Sequence, residues 1–184
     1  AANLGLSFES WNLPLGQSFT PVVSGLLDSI GLRTNGSLSA GTALLTLEVR
    51  SGDGLGGTFL GGVTTQDIAG RFTPNTHDFS VDLRQANIQL EAGSRYTFVI
   101  SSVGGTSDFA LRGSVGSDNN LYTGGQLYAA GYTNTGGWDL TFSTNVTPVP
   151  EPSTLVLLAV GLGLVPLALR RRRVCARTGA GEGR

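Results

Sequence analysis

Residues 42–51 read TALLTLEVRS, and the alternation inside them decides the fold class. Leu45, Leu47 and Val49 fall on one side of an extended chain, with Thr46, Glu48 and Arg50 on the other, because successive side chains of a strand point to opposite faces. A period of two with one apolar face is the pattern of a half-buried antiparallel strand. Three further stretches repeat it. HDFSVDL (77–83) sets Phe79, Val81 and Leu83 against Asp78, Ser80 and Asp82, and RYTFVIS (95–101) sets Tyr96, Phe98 and Ile100 against Thr97, Val99 and Ser101. GWDLTFST (137–144) sets Trp138, Leu140 and Phe142 against Asp139, Thr141 and Ser143. Weaker strand signals lie at 16–23, 28–34, 58–64, 108–114 and 124–130. Gly, Asn, Asp and Ser separate these runs, and no convincing helical stretch interrupts them. The expectation is an all-β antiparallel β-sandwich, jelly-roll-like, over residues 1–143.

Composition narrows the function classes. Residues 1–150 carry eleven Asp and Glu against six Arg, a net charge of −5, whereas 151–184 carry two Glu against six Arg, +4. An acidic body has no electrostatic reason to seek nucleic acid, whose phosphates call for Lys and Arg, so no nucleic-acid partner is expected. The chain has no Lys, which reads as coding bias. Its 28 glycines show no collagen-like period and sit mostly between the alternating runs, as turn residues. Cys175 is the single cysteine, so the chain forms no internal disulfide and no cysteine-based metal site. A body of this size can bury a sufficient core without disulfides. The opening Ala1-Ala2-Asn3, without Met, fits either a removed signal peptide or a truncated start.

The pattern changes near Thr144. Residues 144–154 contain Pro148, Pro150 and Pro152, which favour extended backbone and remove amide donors, and they read as a Pro-rich linker. Residues 155–169, with Leu155 first and Leu169 last, carry no charge, and Arg170, Arg171, Arg172 and Arg173 follow directly. Fifteen helical residues rise about 22 Å, short of the roughly 30 Å hydrocarbon core. A secretory signal has the reverse order, with basic residues first, and a buried core helix is seldom apolar on every face. The best fit is a marginal C-terminal membrane span, with the arginines and the rest of 170–184 held in the cytoplasm by the positive-inside bias.

VPEPSTLVLLAVGLGLVPLALRRRR (149–173) closely resembles the PEP-CTERM sorting signal of Gram-negative bacteria that make extracellular polymer. Its three parts, a Val-Pro-Glu-Pro motif, a short apolar segment and an Arg-rich end, are present in order. The resemblance implies that exosortase, a membrane cysteine protease-transpeptidase, reads the motif. It would cut nearby and pass the body from the inner membrane to the cell surface or extracellular matrix. Val149, Pro150, Glu151 and Pro152 are then recognition residues of a substrate. One departure is VCARTGAGEGR after Arg173, since family members usually stop within a few residues of the arginines. The body, through GQSFT (16–20), LEAGSRYTFVIS (90–101) and WDLTF (138–142), resembles the β-sandwich choice-of-anchor domains often found ahead of such signals.

Other constellations read more plainly. GDGLGG (52–57) satisfies Gly-x-Gly-x-x-Gly, but no helix follows to meet a pyrophosphate, so it is expected to be a hairpin loop. His77 is the single histidine; without a Gly-x-Ser-x-Gly elbow it is expected to be an ordinary surface residue at a strand start. Any two acids of a fold can supply a carboxylate pair, and nothing in the sequence selects one. Asp53 in GDG (52–54) and Asp118 in GSDNN (116–120) are weak Ca²⁺ candidates, loop oxygens of the kind that ion takes; otherwise no cofactor is expected. Of the aromatics Trp11, Tyr122, Tyr128, Tyr132 and Trp138, most are expected in the core, with YAAGYTNTGGW (128–138) the best candidate for glycan contact through Tyr128, Tyr132 and Trp138.

These readings combine into an exported, non-enzymatic surface or matrix protein with a structural or adhesive role. Two alternatives stay open: a polysaccharide-binding or polysaccharide-active module with the same tail, and a protein anchored permanently by residues 155–169.

Overall fold

The computed structural model describes residues 3–7, 14–34, 43–65, 78–105, 110–114, 122–130 and 137–149. Among these the chain is all-β, with every strand pairing antiparallel. The strands are β1 (Asn3–Ser7), β2 (Leu15–Phe19), β3 (Gly25–Arg33), β4 (Ala43–Ser51), β5 (Phe59–Thr65) and β6 (Asp78–Asp82). They continue with β7 (Gln89–Leu90), β8 (Tyr96–Gly105), β9 (Ala110–Ser114), β10 (Leu127–Ala129), β11 (Asp139–Leu140) and β12 (Phe142–Pro148). A single 3₁₀ turn, Arg84–Ala86, lies between β6 and β7 and ends on Asn87 in the left-handed region.

The pairing builds a five-stranded sheet in the order β10-β2-β8-β4-β5 and a four-stranded set in which β3 pairs β12, β6 and β7. A third group, β1-β9-β11, meets the end of β3 through the Thr34–Leu111 bridge. Leu45, Leu47, Val49, Phe98 and Ile100 of the five-stranded sheet, and Leu27, Ile30, Leu32, Phe79 and Val81 of the four-stranded one, enter a common buried core. This is a β-sandwich. Its aromatic centre is Phe19, Phe98 and Phe142, with Phe98 and Phe142 meeting edge-on at 5.4 Å between ring centres.

Where period-two reasoning placed strong strands, β4, β6 and β8 stand, with the expected apolar residues inside. It went astray where a strand is covered on both sides. Thr97 and Val99 of β8, expected to face solvent, are buried at 0 % and 2 % exposure. The hairpin loop after β4 folds back over Thr97: Gly54 N donates to Thr97 Oγ1 (3.1 Å), which donates to Gly52 O (2.9 Å). Gly52 and Gly54 supply the positive φ angles of 82° and 95° that this return needs. Gly16 of β2 leaves the space that Leu55 of the loop takes, since a Cβ there would lie 2.7 Å from it.

Two boundaries are also corrected. Residues 137–144 do not form one strand: β11 pairs β9, whereas β12 pairs β3. The 144–148 part of the expected linker is not linker but the second half of β12, in register from Thr144 opposite Ile30 to Pro148 opposite Gly25. Pro148 is tolerated because β12 is an edge strand, where a missing amide donor removes no sheet bond. A shift between Asn145 and Val146 leaves Asp28 of β3 as the extra residue of a bulge. Asp28 Oδ2 accepts a 2.5 Å hydrogen bond from Thr147 Oγ1. The short strands β1 and β7 carry too little periodicity to have been picked out.

Candidate functional site

β12 carries the chain out of the sandwich. Thr144 and Val146 turn to the half-buried side and Ser143, Asn145 and Thr147 to the exposed side, so the alternation persists to the end of the strand. The chain divides into two compact units there, Ala1–Pro148 and Val149–Arg184. Val149 follows the last paired residue directly and is 40 % exposed. Pro150, Glu151, Pro152, the apolar run from Leu155 to Leu169 and Arg170, Arg171, Arg172 and Arg173 lie outside the described residues. Among the described residues no helix is long and apolar enough to cross a membrane.

Residues 148–173 match the family model of the PEP-CTERM protein-sorting motif. The chain carries a PEP-CTERM sorting motif. No curated protein and no solved structure matches it. The PEP-CTERM motif marks the protein for export and for membrane-associated processing ahead of surface display, and it is consistent with exosortase as the processing enzyme. The match begins on Pro148, the final residue of β12.

The remaining candidates sit on the body. Asp53 accepts a 2.8 Å ion-paired hydrogen bond from Arg95 Nη1, so a cation of the chain itself occupies the carboxylate proposed for Ca²⁺. Burial works to raise the Asp53 carboxyl, but hydrogen bonds from Ser18, Tyr128 and Arg95 and the Arg95 charge outweigh it, and the group stays below its ordinary value. Tyr128 is pushed above the usual phenol value by burial first and by its bond to Asp53 second. Its hydroxyl also accepts from Gln126 Nε2 at 2.7 Å, and its ring lies 3.6 Å from the point where a Cβ on Gly54 would stand. Among the described residues no group of three or more His, Cys, Asp or Glu gathers to hold a metal.

Trp138 is half-buried and packs on the core, as does Tyr122. Tyr122 meets Phe142 edge-on at 5.1 Å and its hydroxyl accepts from Thr20 N at 2.8 Å. Trp11, His77, Asp118 and Tyr132 lie outside the described residues.

Sequence reasoning missed two features. The first is a buried polar clasp. Gln17 on the core face of β2, 0 % exposed, donates to Asp139 Oδ1 (3.1 Å) and accepts from Leu140 N (2.8 Å), while Asp139 Oδ2 accepts from Tyr122 N (3.2 Å). It ties the five-stranded sheet to β11, and Asp139, expected on the solvent side, is 2 % exposed. Its burial is set by partners 17 and 122 residues away in sequence, which a local pattern does not contain.

The second feature is a trough of about 700 Å³ on the outer face of β12, β3 and β6. Ser29 stands opposite Asn145, and Gly31 lies between Ser143 and Ser80. Arg33 closes one end with two hydrogen bonds to Asp78, at 2.5 and 2.8 Å. The signal was present as one outward serine on each of β3, β6 and β12, but register alone brings them side by side.

Proposed function

We propose that this is a non-enzymatic surface or extracellular-matrix protein of a Gram-negative bacterium whose body, a jelly-roll-like sandwich, has a structural or adhesive role. In this reading Val149, Pro150, Glu151 and Pro152 are read by exosortase. Residues 155–169 form a short helix that halts the precursor in the inner membrane, with Arg170, Arg171, Arg172 and Arg173 on the cytoplasmic side. The reading requires no cofactor. One observation carries it: the PEP-CTERM motif starts at the last residue of the last strand, so a cut after Val149 leaves every strand of the sandwich in place. Intact-mass measurement of the protein from cells with active processing machinery tests it. A C-terminus within or close to 149–152 is expected. Recovery of intact chain still carrying Cys175 would overturn the processing and favour a permanent anchor.

A polysaccharide-binding module is the second reading, favoured by the polar trough. Ser29, Ser80, Ser143 and Asn145 offer short donors and acceptors over a glycine floor, a surface suited to hydroxyl-rich polymers. Binding to the organism's own extracellular polymer, lost in Asn145→Ala with the melting temperature unchanged, would establish it. Hydrolysis of that polymer by the purified protein would sink the non-enzymatic reading.

A further inference from the structure

Among the described residues the two larger sheets end in β5, β10, β12 and, beyond β3, β6 with the two-residue β7; of the longer edges β6, β10 and β12 each carry a device that discourages pairing with another chain. β6 is flanked by Asp78 and Asp82, engaged with Arg33 and Arg84. β10 has three residues, and Leu127 N already donates to Trp138 O on its outer side at 2.8 Å. β12 ends in Pro148, which has no amide hydrogen. β5 differs from all of them. Its sequence, FLGGVTT, contains neither charge nor proline, and its far side pairs with no strand among the described residues. Phe59 and Leu60, adjacent on this strand, are 57 % and 37 % exposed. Natural sheet edges are normally guarded by charge, proline or cover, so an unguarded edge with exposed apolar residues is a pairing surface.

We propose that β5 is a self-association edge, which joins two copies of this chain through antiparallel β5–β5 pairing into one continuous sheet. The absence of charge is what selects a second copy. A twofold axis brings each strand against itself, so any charge near its centre meets its own like, as Asp78 and Asp82 of β6 would across a twofold at Ser80. β5 meets no such penalty. The bulge at Leu60, where Arg50 pairs Phe59 and Val49 pairs Gly61, confines the regular pairing to residues 61–65. Centred on Val63, that stretch sets Val63 against its own copy, Gly62 against Thr64, and Gly61 against Thr65. Phe59 and Leu60 flank the new ladder and lose exposure.

Full-length chain in detergent, with Cys175→Ser, tests this by thiol cross-linking with a short bismaleimide. Thr64→Cys is expected to yield at least tenfold more cross-linked dimer than Asn145→Cys on the β12 edge. Equal yields, or no dimer from a Thr64→Cys thiol that labels normally, would overturn the proposal. Adding Leu60→Lys to Thr64→Cys places a charge where the dimer would bury Leu60, and is expected to cut the dimer at least tenfold. The Leu60→Lys chain must melt cooperatively at the parent temperature, which guards against misfolding. A dimer that persists with this lysine in the folded protein is held by another part of the chain and refutes β5 pairing.

Discussion

The outer face of the five-stranded sheet and the outer face of the four-stranded one use similar residues to opposite ends. On β2 and β8, Gly16, Ser18 and Thr97 lie beneath the 52–57 loop and, like Val99, are buried. On β3 and β6, Ser29, Gly31 and Ser80 stand open over a polar trough. A serine or threonine on the open face takes its hydrogen bonds from water. Under the loop each polar group must find a protein partner, because an unpaired buried donor or acceptor costs roughly 1–3 kcal/mol. Ser18 bonds Gln126, Thr97 bonds Gly52 and Gly54, and Gln17 on the core side of the same strand bonds Asp139 and Leu140. Covering a sheet face therefore turns tolerant positions into demanding ones.

The largest effect should come from the clasp. Asp139→Ala removes one of the two acceptors of the buried Gln17 amide, which keeps its bond to Ser18 O, and the acceptor of the half-buried Tyr122 N–H, and is expected to lower stability by about 2–3 kcal/mol in denaturant unfolding. A loss under about 1 kcal/mol would mean that the covered strand β2 does not depend on it. Next, Thr97→Val keeps the shape beneath the loop but removes the hydroxyl that bonds Gly52 and Gly54. About 1–2 kcal/mol should be lost, whereas Ser80→Val on the open face should stay within about 0.5 kcal/mol of the parent. Equal costs for these two substitutions would erase the distinction between the faces.

The smallest effect concerns the loop's ion pair. The folded Asp53 carboxyl lies below its unfolded value, so its contribution is present above the unfolded value and is lost as pH falls through the folded one. Asp53 and Arg95 are 38 % and 43 % exposed, which screens the pair to less than about 1 kcal/mol. Arg95→Gln should lower the melting temperature slightly at neutral pH, and the gap to the parent should close in acid. A gap that is constant from pH 7 to pH 3 would assign the loss to packing instead.

Much of the fold was legible in the chain itself. β4 and β6 announce themselves by strict alternation, since each has one wet and one dry face. β8 was found, but its covered face was misjudged, because nothing within residues 95–101 tells that a loop 40 residues earlier returns over it. Asp139 misled for the same reason: an isolated aspartate reads as solvent-facing until Gln17 is brought beside it. At the other end of β12, prolines suggested a linker where only pairing with β3 could say that the strand continues.

The sorting motif is the part that the sequence determined alone. A short linear motif is read residue by residue from an extended chain, so order and spacing carry its content without any fold. The same holds for the existence of the strands, which follows from a local period of two. Tertiary structure decided which faces are dry, which edge pairs with no strand among the described residues, and that the first compact unit ends at Pro148 where the motif begins. Those properties belong to pairs of residues far apart in the chain, and only the packed sandwich brings the pairs together.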